Sequence, residues 1–380
     1  MNIRGRTDHR LVPPHAKQQS NPQPADLPGP RESFEGSSAH GSRWAVVLAL
    51  GAAAAGLAGC CASPPPQPSY AGLVVFDDFT NADSGTTHGE LVEKELTGRG
   101  SVCEVVPTSA RQQVSIGQSM QPLEQGLPGS LDGYVREHFA GRMDNTTRGL
   151  QEQTARGFRL VINQSQGASE SRVVEALWGR THEPAFRVRL SEQLGLDAGV
   201  SDHDLMAGLL ERVATVHAHD PSVAAARQRL EAASARADEL GIIRVMSAGN
   251  QGQLYRTVTG LGLEVAPEFF RNDLATETTV LVGAADDANG PAALASPMAG
   301  AVLAADAVDR PLCVDGHSGH HSGSSYAAPQ GSRAFDKLLR RDPALTREEA
   351  LARVLQQTIA QPGAESELGA GILPDQPLRG

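Results

Sequence analysis

The chain has 380 residues, 40% of them hydrophobic, and a formal net charge of −11 at neutral pH. This length and apolar content suffice for one large domain or two ordinary ones. The acidic balance argues against a nucleic-acid partner, because proteins that bind nucleic acids need a basic surface to displace counterions from the phosphate backbone.

The N-terminal region predicts an extracytoplasmic protein that a lipid anchor holds at a membrane. Residues 1–43 are rich in Pro, Gly and Ser, and we expect them to be disordered. Residues 44–60 carry an uncharged apolar stretch that is too short to span a bilayer comfortably but is typical of a signal peptide. It ends in Leu57-Ala58-Gly59-Cys60, which resembles a bacterial lipobox and implies cleavage before Cys60 and lipidation of that residue. A short buried helix or an uncleaved anchor is the alternative.

A Pro-rich linker, residues 61–70, would separate this anchor from a folded domain of residues 71–380. Beyond the lipobox pair, the remaining cysteines are Cys103 and Cys313. An oxidising compartment permits a disulfide between them, and buried free thiols are the alternative.

Short apolar segments alternate with helical patterns along the folded domain. Segments rich in β-branched residues and bounded by turns predict buried strands at 72–76, 101–106, 158–163, 242–248 and 278–284. Helix-spaced apolar residues at 89–100 and 221–241 predict helices that end in glycine. This alternation predicts an α/β fold of three layers, α/β/α, with a mainly parallel sheet.

Further helical patterns fill residues 170–225. We interpret this segment as a helical insertion into the domain. A separate helical module that binds a partner is the alternative, and the absence of flanking Pro-rich linkers argues against it.

Four residues whose side chains could take part in catalysis stand at the ends of these elements. Asp77 closes the first strand, His88 opens the next helix, Asn250 follows the strand at 242–248, and Ser325 opens a later helix. In parallel sheets, ligands and chemistry gather at the carboxyl ends of the strands. The chain order Asp, His, Ser is one of the known orders of a Ser-His-Asp triad.

The motifs around these residues resemble those of the subtilisin-like serine peptidases, or subtilases. "LVVFDD" is similar to the aspartate motif of that family, "HGELV" to its histidine motif, "VINQSQG" to its substrate-binding strand, "SAGN" to its oxyanion motif and "GSSYAAP" to its serine motif. The resemblance implies a subtilisin-like fold and peptide-bond hydrolysis by a triad of Asp77, His88 and Ser325, with Asn250 in the oxyanion hole. No cofactor is expected.

The same resemblance implies where a peptide or protein substrate binds. An extended peptide would lie as an added strand beside Asn163, Gln164, Ser165, Gln166 and Gly167. Gln164 and Gln166 stand where subtilases usually carry apolar residues, and we interpret this as a polar groove.

Three histidines, His317, His320 and His321, precede Ser325 closely in the sequence. We expect them to line a glycine-rich loop beside the active site. They lack the spacing of an established metal motif, so no metal site is expected.

Two functions therefore remain open. One is a serine endopeptidase anchored as a lipoprotein. The other is a catalytically inactive subtilase-fold lipoprotein that binds peptides or a protein partner through the same groove. The full set of triad residue types favours the enzyme, whereas the two glutamines and the unusually long leader favour the binding protein.

Overall fold

The structure, a computed structural model, describes residues 68–79, 87–97, 112–116, 129–286, 290–314 and 317–374. All of them fall within one compact unit, Pro65–Gly380. The expected N-terminal extension, the signal peptide with Cys60, most of the linker, Cys103 and the strand expected at 101–106 lie outside the described residues. None of the described helices combines the length and the apolar character that crossing a membrane requires.

A sheet of seven strands lies at the centre of the described region. Its strands are β1 (Tyr70–Asp77), β2 (Gln112–Ser115), β3 (Arg159–Gln164), β4 (Ile243–Ser247), β5 (Val280–Asp286), β6 (Gly290–Pro291) and β7 (Leu303–Asp306). They are ordered β2-β1-β3-β4-β5-β6, and β7 also pairs with β5. Within this sheet, all described pairings are parallel except that of β5 with the short β6. Strands predicted at 72–76, 158–163, 242–248 and 278–284 are thus confirmed as β1, β3, β4 and β5.

Helices cover both faces of this sheet. They are α1 (His88–Thr97), α2 (Leu131–Arg136), α3 (Arg142–Thr154), α4 (Glu170–Trp178), α5 (Pro184–Gln193), α6 (Asp202–His219), α7 (Pro221–Glu239), α8 (Gly252–Gly260), α9 (Ser324–Arg341), α10 (Arg347–Leu355) and α11 (Glu365–Leu368). A π-helical segment, Glu137–Gly141, joins α2 to α3, and a short 3₁₀ helix, Pro267–Phe270, follows α8.

Alternate residues of the strands face two different cores, as the period of two in a strand dictates. In β1, Val74 and Phe76 pack with α2, α3, α4, α6 and α7, whereas Leu73 and Val75 pack with α1, α9 and α10. All four side chains are buried, and burying each such side chain fully contributes about 1.5–3 kcal/mol. The predicted three-layer α/β/α fold with a mainly parallel sheet is therefore confirmed.

Residues 170–225 are mostly helical, as expected, and contain α4, α5, α6 and the start of α7. His217, near the end of α6, is hydrogen-bonded through Nδ1 to Oε1 of Glu170 at 2.7 Å. The His217 ring also stacks on Phe139, with ring centroids 4.1 Å apart. These contacts hold the first turn of α4 against the helical layer and so fix a helix that borders the site described below.

A two-stranded antiparallel hairpin, β8 (Arg310–Val314) and β9 (His317–His321), stands outside the main sheet. His317, His320 and His321 therefore lie on a strand, and the expectation of a glycine-rich loop is wrong. The reason is packing, because Leu312 of β8 is fully buried against Leu91 of α1 and Tyr326 of α9.

The hairpin also has a covalent link. Cys313 of β8 is buried and is disulfide-bonded, with a partner outside the described residues. Its carbonyl accepts a hydrogen bond from Lys94 Nζ of α1 at 2.8 Å. The hairpin is therefore tied to the helix that carries His88.

Candidate active site

The order of the strands brings the candidate residues to one edge of the sheet. β1, β3 and β4 are parallel neighbours, so their carboxyl ends lie side by side. Asp77 ends β1, Ser165 follows β3, and Asn250 follows β4. The N-terminus of α9, with Ser325, meets the same edge through hydrogen bonds to the segments after β3 and β4.

Asp77 and His88 form a hydrogen-bonded pair. His88 Nδ1 lies 2.7 Å from Asp77 Oδ1, although the two residues belong to different elements. The Asp77 side chain is fully buried and that of His88 is 37% exposed. A carboxylate in this position holds the imidazole in the tautomer whose other nitrogen, Nε2, can accept a proton. The structure thus places Asp77, and not its neighbour Asp78, against the ring.

Asp77 Oδ1 has two further donors. The backbone N–H of Asp78 donates to it at 2.7 Å, and Nε2 of Gln166 donates at 3.1 Å. Asp77 Oδ2 is buried and accepts no hydrogen bond from a described residue. The hydrogen bond from Gln166 helps to hold the Asp77 carboxylate in its orientation.

Opposing effects set the pKa of His88. Burial lowers it, whereas the charge of Asp77 and the hydrogen bond to Asp77 raise it, and the net shift is upward from 6.5. A buried carboxylate that stabilises the imidazolium in this way is what a general base needs when it receives a proton.

Ser325 is the second residue of α9 and is joined to the end of β3 by two hydrogen bonds. Ser325 Oγ donates to the carbonyl of Ser165 at 3.2 Å, and Ser165 Oγ donates to the carbonyl of Ser325 at 3.0 Å. The next residue, Tyr326, has its ring centroid 6.5 Å from that of His88. The hydroxyl thus lies at the positive end of a helix and beside the segment expected to bind substrate.

Asn250 faces the first turn of α9. Its Oδ1 accepts a hydrogen bond from the backbone N–H of Ser324 at 2.7 Å. This bond orients the amide group, and among the described residues its Nδ2 hydrogens have no acceptor. An amide donor fixed next to a serine at a helix N-terminus is suited to stabilise a developing oxyanion.

Gly249 allows the chain to turn between β4 and Asn250. Its φ is +121°, and a Cβ there would lie 2.7 Å from Ser296 Oγ and 2.8 Å from Gln251 Oε1. We expect Gly249→Ala to lower the free energy of unfolding by about 1–3 kcal/mol, because the backbone is strained and the neighbouring side chains must move. Chemical denaturation measures this change.

Gly262→Ala is the matched control for this prediction. Gly262 also has a positive φ, +77°, but nothing lies within 4 Å of the Cβ that alanine would add. Only the backbone cost applies there, about 1 kcal/mol. Equal losses of unfolding free energy in the two variants would show that the contacts around Gly249 do not add to the cost of the substitution.

The segment expected to bind substrate divides into two parts. The side chains of Asn163 and Gln164, in β3, are fully buried. Asn163 is hydrogen-bonded to the side chains of Ser165 and Ser332, and Gln164 donates a hydrogen bond to Thr146 Oγ1 at 3.1 Å. Both side chains face the protein interior, so they do not make a groove polar. Pairing of β3 with strands on both sides also occupies its backbone.

The other part extends beyond the sheet. Ser165, Gln166 and Gly167 follow the last residue of β3, and Gln166 and Gly167 are partly exposed. A Cβ on Gly167 would lie 2.5 Å from Asn272 Nδ2, so this position needs glycine for close packing. Ser165 itself is buried, and its carbonyl accepts hydrogen bonds from Ser247 Oγ and Ser325 Oγ. Only Gln166 and Gly167 of the expected segment are therefore open to a substrate backbone.

Two arginines near this segment were missed by sequence reasoning. Arg142 begins α3, and its Nη1 donates to the carbonyl of Gly167 at 3.0 Å. Arg172, in the first turn of α4, is close enough to His88 for its charge to lower the pKa of that histidine. In the sequence, Arg172 could be connected with the substrate segment only because it follows Gly167 closely. No local sequence feature connects Arg142 with that segment.

The described residues include no group of three or more His, Cys, Asp or Glu side chains arranged to hold a metal ion. The site is therefore built from a carboxylate, an imidazole, a hydroxyl and amide donors. That set of groups is suited to nucleophilic acyl transfer.

Comparisons with known proteins find likenesses among solved structures alone. No protein-family model and no curated protein sequence matches the chain. MycP1 from Mycobacterium smegmatis is 15% identical, with a TM-score of 0.47 over 81% of each chain. MycP1 from the ESX-1 type VII secretion system is 16% identical, with a TM-score of 0.46 over 81% of this chain and 83% of that one. A lanthipeptide protease is 11% identical, with a TM-score of 0.45 over 81% and 86%. Likenesses this distant carry no argument about activity or substrate.

Proposed function

We propose that the chain is a serine endopeptidase that hydrolyses peptide bonds with Ser325 as nucleophile, His88 as general base and Asp77 as the residue that orients His88. The observation that carries the proposal is the 2.7 Å hydrogen bond between His88 Nδ1 and the fully buried carboxylate of Asp77. A neutral imidazole held in this way accepts a proton at Nε2 near neutral pH.

The proposed reaction has two halves. His88 Nε2 takes the proton of Ser325 as Oγ bonds to the substrate carbonyl carbon, and the carbonyl oxygen becomes an oxyanion. The Asn250 amide and the N-terminal N–H groups of α9 stabilise this charge. His88 then gives its proton to the leaving amine as the C–N bond breaks. Water, activated by His88, hydrolyses the acyl-enzyme and restores Ser325.

In this proposal the substrate is a peptide or protein in extended conformation. Gln166 and Gly167 provide the backbone beside which it pairs, because they follow the last residues of β3 that pair with β1 and β4 and are partly exposed. Peptide binding as an added strand positions the scissile bond over Ser325, which already contacts Ser165.

One observation favours a second candidate, a catalytically inactive protein that binds peptides in this groove. Ser325 Oγ donates to the Ser165 carbonyl and not to His88 in this structure. Catalysis requires the Ser325 hydroxyl to turn from the Ser165 carbonyl towards His88 Nε2. Catalytic hydrogen bonds often form only in the substrate complex, so this geometry is compatible with the enzyme.

A fluorophosphonate probe tests the proposal directly. The probe reacts with an activated serine, so we expect the full chain to form a covalent adduct that tryptic mass spectrometry locates on Ser325. Prior heat denaturation should prevent labelling. Folded protein that never forms the adduct would favour the inactive peptide-binding protein, and an adduct on another serine would reject the assignment of Ser325.

We also propose that the protein is a lipoprotein held at the extracytoplasmic side of a membrane, periplasmic or outer-membrane, through lipidated Cys60. The proposal rests on the sequence Leu57-Ala58-Gly59-Cys60 after an apolar segment. More than one acyl chain on the new N-terminus would give stable anchoring.

Cys60→Ser should release this anchor. We expect the variant to move from the membrane fraction to the soluble fraction and to lose incorporation of labelled fatty acid, while Cys61→Ser changes neither. Membrane retention of the Cys60→Ser variant would contradict the cleaved, lipidated form.

A further inference from the structure

Three hydrogen bonds orient the carboxylate of Asp77, and all of them fall on one oxygen. The Asp78 backbone N–H and His88 Nδ1 both lie 2.7 Å from Oδ1, and Gln166 Nε2 donates to it at 3.1 Å. Oδ2 is buried and accepts no hydrogen bond from a described residue. Each donor to Oδ1 therefore limits the rotation of the carboxylate that orients His88.

Adjacent residues of the substrate segment contact the two ends of the proposed triad. The carbonyl of Ser165 accepts a hydrogen bond from Ser325 Oγ at 3.2 Å, and the side chain of Gln166 reaches Asp77. Gln166 follows β3, whereas the donor Asp78 is simply the residue after Asp77 on β1. The bond from Gln166 is thus the one by which the end of a neighbouring strand acts on Asp77.

The backbone of Gln166 is free to pair with a peptide. The residue is partly exposed, and neither its N–H nor its carbonyl is hydrogen-bonded to a residue that the structure describes. The carbonyls on either side are already in use. That of Ser165 accepts from Ser325, and that of Gly167 accepts from Arg142 Nη1 at 3.0 Å. An extended peptide beside this segment is therefore expected to bond to the backbone of Gln166.

A peptide in this place would change the surroundings of the bond between Gln166 and Asp77. The bond joins a fully buried carboxylate to a residue that is partly exposed to water. A peptide laid along Gln166 would cover the residue and exclude water from it. Hydrogen bonds are stronger where water is excluded and the local dielectric constant is low. Peptide binding is thus expected to strengthen the hold of Gln166 on Asp77.

We propose that Gln166 is a positioning residue that couples peptide binding to the triad. A peptide paired with its backbone shields the residue from water, and its amide then holds Asp77 and, through Asp77, His88. The inference rests on the proposed function and adds to it how the substrate itself regulates the site. Glutamine suits this role because its side-chain amide donates to a carboxylate while its backbone groups stay available.

Substrates of increasing length test the coupling. Fluorogenic substrates share one scissile bond and extend from it by one residue to several on each side in turn, and kcat and KM are measured for each. For the wild-type chain we expect kcat to rise about tenfold once the peptide reaches Gln166, because binding energy realised in the transition state raises kcat. Wild-type kcat that does not change with length would overturn the inference.

Gln166→Met removes the amide and keeps nearly the same side-chain length. Its backbone can still pair with a peptide, so longer substrates should still lower KM. We expect the rise in kcat with length to shrink to about twofold or less, because the bond to Asp77 is lost. A full rise in kcat in this variant would reject the role of the Gln166 side chain.

Gln113→Met is the matched control. Gln113, in β2, is an exposed glutamine whose Nε2 also donates to a carboxylate, Glu93 Oε2, at 2.6 Å. The variant loses the same kind of bond in a pair that does not include His88 or Ser325. It should keep the wild-type dependence of kcat on substrate length. Loss of that dependence in this variant too would show a general effect on the sheet and reject a specific role for Gln166.

Gln166→Glu gives a readout that a merely structural role would not move. The substitution is isosteric and puts a second carboxylate beside Asp77. Its negative charge raises the pKa of His88 further, so the acidic limb of kcat/KM should lie at higher pH than in the wild type and in Gln166→Met. The charges of Arg172 and Asp78, which also act on His88, are the same in all three proteins. An acidic limb that does not move would overturn the inference.

An NMR measurement separates this inference from the proposed function. In the full chain with isotopically labelled histidine, the proton between His88 Nδ1 and the Asp77 carboxylate gives a signal that Asp77→Asn removes. We expect Gln166→Met to shift or broaden this signal and Gln113→Met to leave it unchanged, whether or not the fluorophosphonate probe reacts. Probe labelling of Ser325 together with an unchanged signal in Gln166→Met would keep the peptidase and reject the coupling.

Discussion

Ser325→Ala is expected to lower kcat/KM for peptide hydrolysis by about 10⁴- to 10⁶-fold, because members of a triad act as a unit and the nucleophile has no substitute. The serine lies at the N-terminus of α9, where Asn250 and the helix N–H groups face the reacting carbonyl in the proposed mechanism. Cleavage of a fluorogenic peptide measures the loss. Labelling by the fluorophosphonate probe should vanish in the same preparation.

Ser318→Ala is the matched control. Ser318 also lies near three histidines in the sequence, but it belongs to β9 of the hairpin, and its side chain is exposed. This variant should keep wild-type activity and labelling. Hydrolysis that survives Ser325→Ala, or that disappears with Ser318→Ala, would contradict the assignment.

Asp77→Asn is expected to lower kcat by about 10⁴-fold, since an amide in place of the carboxylate favours the wrong tautomer of the histidine. The Asp77 side chain is fully buried. Its Oδ1 is hydrogen-bonded to His88 Nδ1, Gln166 Nε2 and the Asp78 backbone N–H. Steady-state kinetics with a fluorogenic peptide gives the change. Circular dichroism shows whether the variant still folds.

The pH profile gives a second readout for this variant. His88 must be neutral to act as a base, so kcat/KM should fall as pH drops through the pKa of His88. Burial lowers this pKa but Asp77 raises it more, so the acidic limb of the wild-type profile should lie above pH 6.5. Asp77→Asn removes the charge that raises it, and the limb should move to lower pH. A purely structural role for Asp77 predicts no such movement.

Asp78→Asn is the matched control for both readouts. Asp78 is adjacent in sequence, and its charge raises the pKa of His88 less than that of Asp77 does. We expect the variant to keep kcat within a few-fold and to move the acidic limb only slightly. Equal effects of the two substitutions would show that general negative charge, and not the bond to Nδ1, matters.

The fold class could be predicted from local patterns because buried parallel strands have a strong signature. β1, β3, β4 and β5 are short and rich in β-branched residues, and helices with apolar faces alternate with them. Both faces of each strand are covered, so the strands read as continuous apolar runs. Asp77, His88, Asn250 and Ser325 stand out because polar residues interrupt the pattern at the ends of elements.

Other features depend on contacts between distant segments, which no local pattern records. Gln164 and Gln166 look alike in the sequence, yet Gln164 is buried against Thr146 whereas Gln166 reaches Asp77. The side-chain period of two in a strand would put them on the same face, but Gln166 lies beyond the end of β3, where this alternation stops. Likewise, the sequence predicts a loop around His320 because glycine and histidine have no strong preference for strands, whereas the structure has a hairpin there.

The sequence by itself determined the layered α/β class and the element ends at which Asp77, His88 and Ser325 stand, because each depends on hydrophobic period and turn chemistry within a short window. Their grouping as a candidate triad came from the resemblance to the motifs of the subtilases. Only the tertiary structure decided that Asp77 pairs with His88 and which residues of 163–167 remain open. It also decided that Arg142 donates a hydrogen bond to the carbonyl of Gly167. Adjacent strands and the packing of α3 and α4 set these contacts, and that arrangement is a property of the assembled sheet and helices.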